Sequence, residues 1–131
     1  MRVHTHTYVM KPISLQTSLS PAFFLAAIKL LHTLVWAVMA GSILALPIAA
    51  FTRHFRWSLA LSALIVVECA TLAANRGRCP MTDWAARFTE DRAPNFDIYL
   101  PAWLARHNKV IFGTLFAVNE LIVLWRWLVR T

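Results

Sequence analysis

The chain has three glycines, at positions 41, 77 and 113, and that scarcity removes whole classes of chemistry. A phosphate-cradling loop gathers glycines at a helix start, and no such cluster exists here. The G-x-S-x-G elbow that exposes a nucleophilic serine is absent, as is the H-E-x-x-H zinc helix. Cysteine is as sparse: Cys69 and Cys79 are the two. Ten residues of helix would separate them by about 15 Å, whereas a disulfide needs Cα atoms within about 7 Å. No intramolecular bridge is expected, and the redox compartment is not legible. Acidic residues number six against thirteen Lys and Arg, for a net charge of +7. The basic residues sit at the ends of apolar runs and in one long loop, not along an amphipathic face. That placement excludes a nucleic-acid partner and fits lipid headgroups and topology signals.

What the chain has in excess is apolar surface. Hydrophobic residues make up 59% of the 131 and charged ones 15%, against about 45–50% and 25% in soluble domains. A domain this small cannot bury such an excess; a lipid bilayer solvates it. The sequence therefore reads as one all-α integral membrane domain with three transmembrane helices. Residues 1–20 form a polar tail, in which Met10-Lys11 marks an alternative start and His4-Thr5-His6 a loose metal-binding pattern in a mobile segment. Residues 22–51 form the first span, opened by Ser20 as N-cap and Pro21 at the first helical position. Pro47 is expected to kink or end it. Residues 57–74 form the second span and 110–129 the third, each near the ~20 residues that cross a bilayer.

Between the second and third spans lies a 35-residue stretch with ten charges, Asn75 to Lys109. Thr82 or Asp83 caps a short helix over residues 84–91, with Trp84 and Phe88 on one face. Residues 95–100 alternate polar and apolar and read as extended. Pro101 opens a helix that runs into the third span. The loop, residues 75–109, is thus an ordered amphipathic cap lying on the membrane surface, held by Trp84, Phe88, Phe96, Ile98 and Trp103. Arg2, Lys11, Arg76, Arg78, Arg87, Arg92, Arg106 and Lys109 lie on its side. Arg53, Arg56, Arg126 and Arg130 lie on the other. The bias favours the tail and loop in the cytoplasm. Trp57, Trp125 and Trp127 mark one interface, and Trp84, Tyr99 and Trp103 the other.

Cys79-Pro80-Met81-Thr82, directly after a span, resembles the Cys-Pro-Leu-Thr signature of a family of small bacterial membrane proteins of unknown function, with Met81 in the place of Leu. Asn75-Arg76-Gly77-Arg78 is similar to the approach to that motif, and Asp97-Ile98-Tyr99-Leu100-Pro101 to a downstream Tyr- and Pro-bearing segment. The resemblance implies a multispanning fold in the bacterial cytoplasmic membrane and no established activity. It carries over Cys79, Pro80 and Thr82 as structural or functional anchors.

Ionisable groups inside spans are expensive and need a reason. Counted from the loop side, Lys29 and Glu68 lie about 10 Å deep, and His32 and Glu120 about 15 Å. This pairs Lys29 with Glu68 as an ion pair and His32 with Glu120 as a hydrogen bond, both as interhelical glue. Alternatively Lys29 snorkels to the interface. His32, Glu68 and Glu120 also form a possible metal set or proton relay. A bis-His haem is disfavoured, because His32 and His107 differ by about ten residues of rise. Cys79, beside Arg76 and Arg78, is the candidate thiol nucleophile, a thiolate haem ligand, or a packing residue; Cys69 reads as buried. No cofactor is assigned. Small residues at Ala37, Gly41 and Ala45, and at Gly113 and Ala117, allow close helix approach within the bundle, in a homo-oligomer or in a larger membrane complex. Three functions follow: a non-catalytic subunit or accessory factor, a metal-, haem- or proton-handling protein, and a thiol enzyme centred on Cys79.

Overall fold

A computed structural model of the chain describes residues 19–129. The expectations about the tail to residue 18 and about Arg130 lie outside the described residues. Helix α1 (Pro21–Phe51) starts as its sequence directs. Ser20 is extended, its hydroxyl accepts the Phe23 N–H at 3.3 Å, and Pro21 occupies the first turn. Pro47 does not end the helix, which continues to Phe51. A proline lacks the N–H that would bond the carbonyl four residues back, so Ile43 O loses its helical donor. Asn119 supplies one from another helix, its amide reaching Ile43 O at 2.7 Å. The buried asparagine thus completes a hydrogen bond that Pro47 removes, as a buried carbonyl requires.

Helix α2 (Phe55–Ala74) follows a turn of three residues. The end of α1 is closed by His54 N–H to Ala49 O at 2.9 Å and Arg53 N–H to Ala50 O at 3.2 Å. That is the six-to-one and five-to-two pattern of a Schellman cap. Its left-handed residue is Arg53, at φ 59°. The end of α2 repeats the device: Gly77 N–H bonds Leu72 O at 2.6 Å around a left-handed Arg76, at φ 58°. Helix α3 (Pro80–Ala85) has Cys79 at its N-cap and Pro80 in its first turn. It starts earlier than the 84–91 expected, because Pro80 presets the helical φ. Residues 95–100 are turns and bends instead of an extended segment. Helix α4 (Ala102–Leu128) is continuous from just after Pro101 through the third span.

Among the described residues there is no strand, and three helices are long and apolar enough to cross a membrane. Their 31, 20 and 27 residues give roughly 46, 30 and 40 Å of rise, against about 30 Å of hydrocarbon. The core is thin: Ile43, Leu46 and Ile65, with Leu61, Phe112, Phe116 and Val123 against them. Helix α1 packs on both α2 and α4, while α2 and α4 scarcely touch. A cleft therefore opens between those two, floored by α1. Apolar side chains such as Leu59, Leu121 and Val110 are left two-thirds or more exposed. Trp57, Trp125 and Trp127, near the α1–α2 turn, are exposed, as are Trp84, Tyr99 and Trp103 at the loop end.

The loop docks on the N-terminal half of α1. Phe88 stacks on Phe24 at 5.4 Å between centroids, the Tyr99 ring lies under Lys29 at 4.7 Å, and Tyr99 N–H donates to Thr33 Oγ1 at 3.0 Å. Ile98 is buried. Trp84 and Trp103, expected to hold the loop, are instead exposed. The small-residue rows do not mediate close packing within this bundle: Ala37, Gly41, Gly113 and Ala117 are exposed. A Cβ added at Gly41 or Gly113 would meet nothing within 4 Å, so neither marks a close helix contact.

Candidate functional site

The loop delivers one buried acid to α1. Asp97 follows Phe96 and precedes Ile98, and burying those apolar neighbours carries the carboxylate inward; the Asp97 and His32 side chains are 7% and 15% exposed. His32 Nδ1 lies 3.2 Å from Asp97 Oδ2 and 3.2 Å from the Asp97 carbonyl oxygen. Thr82 Oγ1, from α3, donates to the same Oδ2 at 2.5 Å. Burial alone would raise the Asp97 carboxyl. The hydrogen bonds from His32 and Thr82 outweigh it and hold the carboxyl below its ordinary value. An ionised carboxylate only accepts, so Nδ1 of His32 carries a proton toward Asp97.

Cys79 lines the same cavity as His32 and Asp97. It is half-buried and free, and the fold brings it there through the α2 cap and Pro80. Asn75 stiffens this approach, its amide donating to Arg78 O at 3.0 Å and Asp83 Oδ2 at 2.9 Å. Arg78 pairs with Asp83 at 3.4 Å, so its charge is directed to that carboxylate and not to the thiol. The result groups a thiol, an imidazole and a carboxylate, with Thr82 fixing the carboxylate.

This group lies on the wall of a cavity of about 560 Å³ in the cleft between α2 and α4. Below it the lining is mostly apolar: Trp36, Met39, Ile43, Ile65, Phe112 and Phe116. The Trp36 and Phe112 rings meet edge to face at 5.5 Å. Arg78, Arg92 and Lys109 line the loop end.

The pairings expected from depth do not form. Lys29 packs over Tyr99 and not against Glu68. Glu68 lines the cavity and has no hydrogen-bond or ion-pair partner among the described residues. Glu120 accepts from Ser62 Oγ at 2.5 Å and not from His32. The error lies in the zero of depth. Helix α1 is 11 residues longer than α2, and its extra turns rise beside the loop. His32 therefore stands at loop level, while Glu120 lies roughly 16 Å nearer the α1–α2 turn. His32, Glu68 and Glu120 thus do not converge. Among the described residues no three His, Cys, Asp or Glu side chains form a metal-ligand set. His107 is exposed and donates to Trp103 O at 2.7 Å. Cys69 is exposed on the cavity side instead of buried, and both cysteines are free. Of the loop anchors, Cys79 and Thr82 are brought together, and Pro80 aims them. Asp97 was missed as a site residue. Its signal is an acid flanked by Phe96 and Ile98 inside an otherwise polar loop.

No family model, curated protein or solved structure matches this chain.

Proposed function

We propose that the chain is an integral membrane protein whose loop end carries a thiol nucleophile for acyl transfer or hydrolysis. The observation that supports it is that His32, paired with the Asp97 carboxylate, and the Cys79 thiol line the wall of one cavity. A nucleophile, a base within reach and a third group orienting the base is the general form of nucleophilic catalysis. Asp97 fixes the ring and its tautomer, and Thr82 positions Asp97. Cys79 Sγ, its proton passed to His32, attacks a carbonyl carbon. The new C–S bond replaces the bond to the leaving group, which departs with the proton from His32. Water or an acceptor hydroxyl or amine, deprotonated by His32, then releases the acyl group and restores the thiol. The exposed apolar helices and two aromatic girdles support the membrane location. The Lys and Arg bias supports a cytoplasmic loop, and the Cys-Pro-Met-Thr resemblance a bacterial cytoplasmic membrane.

The test uses full-length protein in mild detergent. Alkylation by iodoacetamide is followed at Cys79 in a Cys69→Ser background, with His32→Gln and Asp97→Asn beside it. The protein is then incubated with acyl thioesters and its intact mass recorded before and after neutral hydroxylamine, which cleaves thioesters. Fast, His32-dependent alkylation and a hydroxylamine-sensitive acyl adduct at Cys79 are expected. A Cys79 that reacts no faster than Cys69 in the wild type, and independently of His32 and Asp97, overturns the reading. The His32–Asp97 contact would then be a latch that docks the loop in a non-catalytic accessory protein.

A further inference from the structure

The same cavity has a polar end and an apolar end, and together they describe one kind of ligand. At the polar end stand Arg92 and Lys109. Arg92 donates to the carbonyls of Ala86, Thr89 and Asp91 and covers the Phe96 ring. Lys109 donates to Gly77 O. Among the described residues neither pairs with an acidic side chain, unlike Arg78, which pairs with Asp83. Asp97 is engaged by His32 and Thr82. From His32 to Ile43 the apolar wall of α1 then runs for 11 residues, roughly 16 Å. Gly113 lies on the facing wall. A Cβ there would meet nothing within 4 Å, because the glycine faces open cavity and not a packed neighbour.

We propose that the cavity binds a single long acyl chain, laid between α2 and α4 over α1. Its carbonyl is presented to Cys79 and its anionic headgroup is held by Arg92 and Lys109. This rests on the thiol reading and names its substrate class, an anionic acyl thioester or ester. Glu68 is the acid on this wall, and a chain passing it makes no use of its charge.

The probes are palmitoyl-coenzyme A, butyryl-coenzyme A and the uncharged palmitoyl thioester of N-acetylcysteamine, with the rate of Cys79 acylation as the readout and the iodoacetamide rate as the control. Wild type is expected to take palmitoyl over butyryl by tenfold or more. Gly113→Leu fills the cavity and reduces that preference at least tenfold, with alkylation by iodoacetamide unchanged. Arg92→Gln with Lys109→Gln removes the preference for palmitoyl-coenzyme A over the uncharged thioester. Glu68→Leu leaves palmitoylation within twofold. Equal palmitoyl and butyryl rates in the wild type, with Cys79 still acylated, overturn the chain-binding inference and leave the thiol reading standing; this arm needs no variant to fold. Loss of palmitoylation in Glu68→Leu, with alkylation intact, also overturns it and assigns the cavity to a polar ligand. Failure of every thioester to acylate Cys79 overturns both.

Discussion

Two polar clusters are set among these helices, and they differ in what each leaves unspent. Near the α1–α2 turn, Pro47 removes a donor, Ile43 O is left open, and Asn119 closes it at 2.7 Å; nearby, Ser62 occupies Glu120 at 2.5 Å. The open carbonyl there is created by the fold and answered by the fold, while Ser58 Oγ is buried nearby without a hydrogen-bond partner. At the loop end, Asp97 is answered twice, by His32 and Thr82, yet the imidazole shares the wall of an open cavity with a thiol. The first cluster pairs no nucleophile with a base and reads as structure. The second has a base, a nucleophile and space, and reads as a site. Burial of polar groups is costly in both cases; a thiol and a base on one cavity wall are what separate them.

That contrast can be broken most directly at His32. His32→Gln keeps a hydrogen-bonding side chain but removes the base, and is expected to slow Cys79 acylation about 10²–10⁴-fold, measured by intact mass against time. An equal loss of folded protein, with the rate per folded molecule unchanged, would return this cluster to a structural role. The other half of the comparison is sharpened at Asn119. Asn119→Leu orphans a buried carbonyl and should cost about 1–3 kcal/mol, read from unfolding in mixed detergent micelles, with acylation per folded molecule unchanged. Adding Pro47→Ala restores the N–H that Ile43 O lacks. The double mutant should recover most of the loss, a coupling that a double-mutant cycle measures.

A smaller effect concerns pH. The Asp97 carboxyl is held below its ordinary value of 3.8 by His32 and Thr82 against the cost of burial. A depressed carboxyl stabilises the fold fully above its unfolded-state value and progressively less as pH falls through the folded one. Thermal stability should therefore decline below about pH 4, and Asp97→Asn should flatten that decline. The smallest change is expected at Ser62. Ser62→Ala removes one hydrogen bond to Glu120, should cost about 1 kcal/mol, and should leave acylation untouched; a large loss of acylation there would join the two clusters functionally.

The three long apolar helices, the N-cap at Ser20 and the continuous α4 were legible because each rests on local composition or spacing. The pairings were not. Depth counted along each helix placed His32 beside Glu120 and Lys29 beside Glu68. The extra turns of α1 shift its register against α2 and α4, and the loop occupies the level at which its acid can meet His32. Pro47 read as a break because the sequence does not display Asn119 across the bundle. Asp97 was inconspicuous because its partner lies 65 residues away.

The sequence by itself determined that this chain is helical, that three segments are apolar enough to cross a membrane, and that a charged loop with a Cys-Pro turn separates the last two. Those properties follow from hydrophobic run length, caps and proline geometry, which act within a few residues. Only the tertiary structure decided which polar groups meet. A contact between α1 and the loop depends on helix length differences and on which faces pack, and neither is encoded in any one stretch of chain. Because α1 packs extensively on both neighbours while α2 and α4 meet only sparsely, the packing also leaves the cavity at whose wall His32, Asp97 and Cys79 come together.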